Sequence, residues 1–156
     1  MLKRILEKQA VFSITLKLLA VFAQSRIFSP VSSWLAGQFA HLNLVLNKPK
    51  KAEDLNDLAN TWLNLMPPDG RQYFKIQKIE NNTAYAEIHL HCPLRGSGNA
   101  EACYKLMNYD RKLMSKVGGN LVVLESQSNS GKPSCLLAIR KKEDDISDLV
   151  PAHLKK

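Results

Sequence analysis

The stretch RQYFKIQKIENNTAYAEIHLH, residues 71–91, decides the fold, because its residues alternate with the two-residue period of β-strands. We predict strands over residues 71–79 and 83–91, joined around Glu80-Asn81-Asn82, where asparagine readily takes the left-handed turn conformation. One face of the second strand is apolar and carries Ala84, Ala86, Ile88 and Leu90. The stretch therefore predicts an antiparallel hairpin with one face turned to a core.

A helix is predicted after this hairpin. Pro93 ends the strand pairing, and the glycine-containing loop 95–98 leads into a helical segment over residues 99–117. Asn99 is a favourable N-cap for this segment, and Gly118-Gly119 is a favourable stop at its C-terminus. We therefore expect one long helix between the two halves of the sheet.

A second hairpin completes the unit. Strands are predicted over residues 121–126 and 134–140, with a turn at residues 129–133 between them. The fold class predicted for residues 71–142 is therefore α+β, with an antiparallel sheet built from two hairpins and one long helix inserted between them. The tail over residues 143–156 is polar, and we expect it to be loosely attached.

Apolar helices are predicted before the sheet. The apolar run 11–23 is followed by helical patterns over residues 31–46 and 52–66. Pro67-Pro68-Asp69-Gly70 then stops the last of these helices. Residues 1–70 are thus expected to form a helical N-terminal part.

The net charge of +8 comes mainly from scattered residues rather than from one basic cluster. The runs Lys48-Pro49-Lys50-Lys51 and Arg140-Lys141-Lys142 are short, and acidic residues follow the second at once. Because no nucleic-acid motif or aromatic-basic platform accompanies them, nucleic acid is not expected as a partner. The length of 156 residues, with 45% hydrophobic and 23% charged residues, fits a single domain over residues 1–156.

The first helix is open to three interpretations. Its apolar stripe at helical spacing consists of Ile5, Phe12, Leu16, Leu19 and Ala23. The first interpretation is that the stripe packs on the core, or on a second subunit in a homodimer. The second is a peripheral membrane contact, because a basic amphipathic helix can lie on a membrane surface. A removed signal peptide is the third interpretation, which Lys17 and Glu7 disfavour. The apolar run of about 13 residues is short of the roughly 20 that a span requires.

The cysteines bear on the compartment and on a candidate site. The chain contains three, and an odd number excludes a full disulfide framework. Without a clear export signal, we expect reduced thiols and a cytoplasmic location, with membrane-peripheral attachment as an addition.

A polar pair is predicted on the helix over residues 99–117. Cys103 and Asp110 are seven residues apart and therefore face the same side. A carboxylate on an otherwise apolar helix face is costly to bury without a partner. Asp110 is therefore expected either to cap a loop or pair with a lysine at the edge of the stripe, or to belong to a polar pocket beside Cys103.

The other two cysteines are expected to face the same interior. Cys135 shares its strand face with Leu137 and Ile139, and Cys92 has the parity of the apolar face of its own strand. Buried thiols usually serve as small apolar side chains, whereas converging thiolates bind zinc. The fourth ligand would be Glu125, Asp110 or a histidine. Glu125 has the parity of Leu121 and Val123, and its other interpretation is a cross-strand partner of a basic residue.

The order of these motifs resembles a known superfamily. A strand ends at His91-Cys92-Pro93-Leu94, a helix carries Cys103, and Glu125 precedes the strand motif GKPSCLLAI at residues 131–139. In this order, residues 71–142 resemble the 4-vinyl reductase or hydrocarbon-binding domain superfamily, which includes methanogen output domains and relatives of TRAPP-complex subunits. The cysteine-to-aspartate helix and the Gly-x-x-x-Cys strand are also similar to the L-2-amino-thiazoline-4-carboxylic acid hydrolase-like family.

The first resemblance implies a zinc site below a buried pocket for a small apolar ligand. Phenol-sensing members of the superfamily bind zinc through three cysteines and a glutamate, and Cys103, Glu125 and Cys135 match three of these positions. The remaining cysteine is expected a few residues after Glu125, where Gln-Ser-Asn stands at residues 127–129. Cys92 would have to take its place.

Two functional hypotheses follow. The first is a non-catalytic regulatory or accessory module that binds a small apolar ligand or a metal, and that dimerises through its N-terminal helices. The second is a hydrolase-like enzyme that acts on a small heterocyclic or amide-like substrate, with Cys103 and Asp110 as the motif residues. No histidine stands at a fixed spacing to activate the thiol of Cys103, as nucleophilic catalysis usually needs.

Overall fold

The computed structural model describes residues 8–25 and 27–155. In the helical part, α1 spans Gln9–Gln24, α2 spans Ser29–Asn47 and α3 spans Leu55–Asn64. Asp54 caps α3, since its carboxylate accepts a hydrogen bond from the backbone N–H of Asp57 at 2.8 Å. The helical N-terminal part is thus present over its described residues.

The sheet contains four antiparallel strands in the order β1–β2–β4–β3. Its strands are β1 (Phe74–Glu80), β2 (Thr83–Ile88), β3 (Gly119–Glu125) and β4 (Cys135–Lys141). Two hairpins, β1–β2 and β3–β4, join through the pairing of β2 with β4. The predicted α+β fold class is therefore confirmed.

The helical segment between the hairpins is broken, whereas one long helix was predicted. It consists of α4 (Ala100–Leu106) and α5 (Asn108–Val117), separated at Met107, whose ψ of 0° departs from helical geometry. Asn99 caps α4 as predicted, and Gly118 ends α5 at a φ of +97°, a conformation that favours glycine.

The helical part shares its core with the sheet. Trp62 of α3 is fully buried, and its ring meets Phe74 of β1 edge to face. In α1, Leu19 and Ala23 are buried, and Phe12 lies edge to face against Phe74 and Tyr109. The interpretation that the stripe of α1 packs on the core is confirmed for its described members, while Ile5 lies outside the described residues.

The C-terminal tail packs on the body, so the prediction of a loosely attached tail was wrong. Leu149 and Ala152 are buried, and the ring of His153 lies 4.0 Å from that of Tyr104, measured between centroids. Arg140 of β4 binds the carboxylate of Asp148 with two of its nitrogens. Although most residues of the tail are polar, its few apolar residues make contacts that hold it on the body.

A short helix, α6 (Gln127–Ser130), replaces the turn predicted at residues 129–133. The hydroxyl of Ser126 caps it by accepting a hydrogen bond from the backbone N–H of Ser128 at 3.1 Å. None of the helices in the described part of the chain is long and apolar enough to cross a membrane.

Candidate functional site

A cavity of about 160 Å³ lies between the α1–α2 helix pair and the sheet. Most of its wall is apolar and includes side chains from both parts of the chain: Phe12, Leu16, Phe39, Leu42, Phe74 and Leu90. Cys92, Cys103, Asp110 and Cys135 also line it. Four of the five candidate site residues identified from the sequence therefore line the same cavity.

The three thiols are held in an apolar environment. Cys103 and Cys135 are buried and Cys92 is half-buried. Burial raises the pKa of the Cys103 thiol to about 11 and that of Cys135 to about 12, and it also raises the pKa of Cys92. All three are therefore protonated at neutral pH, as expected of small apolar side chains rather than of reactive thiolates.

Asp110 provides the carboxyl group on the cavity wall. Its Oδ1 accepts a hydrogen bond of 2.9 Å from the indole N–H of Trp62, which satisfies the partner requirement of a buried carboxylate. Burial nevertheless raises the pKa of Asp110 to about 6, against the opposing effects of the Trp62 hydrogen bond and of Arg111. Asp110 therefore lies in the wall of the same cavity as Cys103, with an indole rather than a lysine as its partner.

A second polar pair lies next to Asp110. The amide of Asn43 in α2 donates to the hydroxyl of Tyr109 at 2.8 Å and to the carbonyl of Leu65 at 3.1 Å. Burial raises the pKa of Tyr109, so its hydroxyl remains neutral. Both residues line the cavity and present amide and hydroxyl groups beside an otherwise apolar wall.

Glu125 does not join these residues, because a β-bulge reverses its direction. The pairing shifts between Val123, which opposes Leu137, and Glu125, which opposes Leu136. The extra residue moves Glu125 from the face of Leu121 and Val123 to the opposite one. There its carboxylate forms a 2.6 Å ion pair with Lys132, which lowers the pKa of Glu125. The inward direction expected from parity was wrong. Glu125 does pair with a basic residue, but Lys132 lies in the β3–β4 connection and not across a strand pair.

Gln127 is the site residue that sequence reasoning missed. Its side chain is fully buried, and its amide donates to the carbonyls of Ile88 and Leu90 at 3.3 and 2.9 Å. Its oxygen accepts from the backbone N–H of Cys92 and from Nε of Arg95, at 3.1 and 2.8 Å. Gln127 therefore fastens the chain after β2 to the β3–β4 connection, and it lines the cavity. Its place directly after a predicted strand was the only signal in the sequence.

The residues do not fit the zinc site that the resemblance implies. Glu125 is bound to Lys132 on the other face of the sheet, and Gln127 occupies the region where a further cysteine is expected. Within residues 8–25 and 27–155, no group of three or more histidine, cysteine, aspartate or glutamate residues is arranged to hold a metal ion. The zinc site stays an untested implication of the resemblance, and the arrangement of the described residues gives no support to it.

No family model, curated protein or solved structure matches this chain. The resemblance to the two families therefore stays a prediction.

Proposed function

We propose that the chain is a non-catalytic binding module that holds a small, largely apolar molecule in the cavity between α1–α2 and the sheet. The observation that supports this proposal is the cavity itself, with a volume of about 160 Å³ and a mainly apolar wall. An apolar cavity of roughly 150 Å³ in another protein accommodates benzene, so the space suits a ligand of that order. Small-molecule sites typically combine such a wall with a few polar groups.

The polar groups on the wall favour a ligand that has one hydrogen-bonding group. Asp110, Asn43 and Tyr109 come from neighbouring helices and all line the cavity. Asp110 accepts a hydrogen bond from Trp62, and Asn43 donates one to Tyr109. A hydroxyl or amino group on the ligand would find a carboxyl acceptor there, while its apolar body contacts the leucine and phenylalanine side chains.

A regulatory role is proposed because the ligand would contact two parts of the chain at once. Phe12 and Leu16 of α1 form one side of the cavity, and Leu90 and Cys135 form another. A bound molecule would therefore change how firmly α1 and α2 pack on the sheet. Such a change in packing would alter the affinity of these helices for a binding partner.

The environment of Cys103 weighs against the hydrolase alternative. A cysteine nucleophile needs a lowered pKa or an adjacent base, whereas burial raises the pKa of Cys103 to about 11. No histidine lines the cavity among the described residues, and His89 pairs with Glu87 instead. We therefore propose binding rather than covalent catalysis.

Thermal unfolding in the presence of benzene tests this proposal. Ligand at ten times its Kd stabilises the native state by about 1.4 kcal/mol, which corresponds to a rise in Tm of about 4 °C for a chain of this size. Leu42→Trp places a larger side chain on the cavity wall and should abolish the rise. Leu63→Trp is the matched control, because Leu63 packs on the same core without lining the cavity.

Two results would contradict the proposal. One is an unchanged Tm of the unaltered protein at benzene concentrations near its solubility limit. The other is an equal loss of the benzene effect in both tryptophan variants, which would place the effect outside the cavity.

A further inference from the structure

The α1–α2 pair exposes much more apolar surface than the rest of the molecule. Of the thirteen large hydrophobic residues that are exposed in the described part of the chain, nine lie between residues 14 and 45. We name this surface the hairpin face, after the helical hairpin formed by α1 and α2. Its members include Leu18, Val21, Phe22, Ile27, Phe28 and Trp34. Ile27 is 81% exposed and Trp34 is 61% exposed. An apolar surface of this kind marks a site of interaction.

Within the segment that carries the hairpin face, the charges have one sign, while Asp69 and Glu101 of other segments lie near the starts of α1 and α2. No aspartate or glutamate occurs between residues 8 and 52, although this segment is more than a quarter of the chain. Its described lysines are all exposed: Lys8, Lys17, Lys48, Lys50 and Lys51. Lys17 lies within one turn of Ile14, Leu18 and Val21, so positive charge is interleaved with the apolar side chains.

We propose that the hairpin face binds the surface of a lipid bilayer that contains anionic lipids. Exposed lysines around an apolar surface complement such a bilayer, because anionic headgroups attract each cation and the acyl region accepts the apolar side chains. Tryptophan and phenylalanine are the residues that favour the boundary between headgroups and acyl chains. Trp34, Phe22 and Phe28 supply them here.

A second copy of the chain suits this surface less well. Two hairpin faces packed against each other would bring lysines of both copies together without any carboxylate of the same segment to pair with them. Like charges brought together at an interface oppose association. The uniform charge therefore favours the membrane over a dimer, and a dimer is one of the outcomes that would overturn the proposal. Membrane binding by the hairpin face does not require a ligand in the cavity.

Vesicle sedimentation with the full chain tests the proposal. The protein should sediment with vesicles of phosphatidylcholine and phosphatidylglycerol, less so at high salt, and only weakly with phosphatidylcholine alone. Lys17→Glu changes two units of charge at the surface and should weaken binding about 30-fold. Trp34→Asp should weaken it by at least about 10-fold, because it removes the largest exposed apolar side chain.

Matched controls separate the hairpin face from general effects of charge and polarity. Val150→Asp alters an apolar residue of similar exposure in the C-terminal tail, and Lys75→Glu alters an exposed lysine of β1. Both should bind vesicles as the unaltered protein does. All four positions are exposed, so circular dichroism should show unchanged folding.

Three results would overturn the proposal. The first is that the unaltered protein does not bind anionic vesicles. The second is that the control variants lose as much binding as Lys17→Glu and Trp34→Asp. The third is a concentration-dependent dimer that Trp34→Asp dissociates while vesicle binding is absent, which would assign the hairpin face to a second copy.

Discussion

Replacement of Asp110 by asparagine should make the stability of the protein less dependent on pH. The carboxyl of Asp110 is buried, and its pKa is raised from an ordinary value of 3.8 to about 6. Between these values the folded state holds a proton that the unfolded state has lost. The free energy of unfolding of the unaltered protein therefore falls as pH rises through this window, and the asparagine variant lacks this fall.

The size of the effect follows from the two pKa values. Each unit of pKa corresponds to 1.36 kcal/mol, so the difference between 3.8 and about 6 amounts to about 3 kcal/mol. The destabilisation caused by ionisation of Asp110 reaches its full size above about pH 7 and is absent below about pH 3. Asparagine keeps an oxygen that can accept the hydrogen bond from Trp62, so the loss of this contact adds little.

Urea unfolding between about pH 4 and pH 8 measures the effect. The quantity of interest is the difference in unfolding free energy between Asp110→Asn and the unaltered protein, because contributions from other carboxylates cancel in it. Between pH 4 and pH 8 this difference should grow by about 2.5 kcal/mol in favour of the variant, because a small part of the effect is already present at pH 4. Glu53→Gln is the control, since Glu53 is exposed and its replacement should leave the pH profile unchanged. Parallel profiles for Asp110→Asn and the unaltered protein would refute the burial of a titrating carboxyl at this position.

Three further predictions concern the same region. Cys103 should react with a thiol reagent at neutral pH far more slowly in the folded protein than in urea, and equal rates would contradict its raised pKa. Gln127→Leu should lower the free energy of unfolding by about 3 kcal/mol, because it leaves buried carbonyls and N–H groups without partners, whereas Gln38→Leu on the exposed side of α2 should have little effect. Dialysis against EDTA should leave Tm unchanged, because no metal-binding group is present among the described residues. One zinc ion per chain in elemental analysis would contradict this prediction.

The secondary structure was predictable because its signals are local. The two-residue period of residues 71–91 requires strands, and Asn99 and Gly118 mark helix ends through their own backbone preferences. The break at Met107 carried no such mark, since neither proline nor glycine stands there. No local pattern in the sequence therefore distinguishes this position from the helical residues on either side.

The candidate site was predictable only where regular geometry continued. Cys103 and Asp110 face the same cavity because seven residues return to the same side of a helix, and the break at Met107 does not undo this. Glu125 was misplaced because a single bulged residue reverses strand parity, and its neighbours in the sequence give no sign of the bulge. Gln127 was missed because its four hydrogen bonds reach residues 32–39 positions away.

The position of α1 connects the two proposals. Its inner side, with Phe12 and Leu16, forms part of the cavity wall, while its outer side, with Leu18 and Val21, belongs to the hairpin face. A ligand that alters how the inner side of α1 packs would therefore act on the same helix that presents the outer surface. If a vesicle surface and a small ligand each favour the same packing of α1, each must strengthen the binding of the other by the same factor. Ligand binding in the cavity would then increase the affinity of the hairpin face for the membrane.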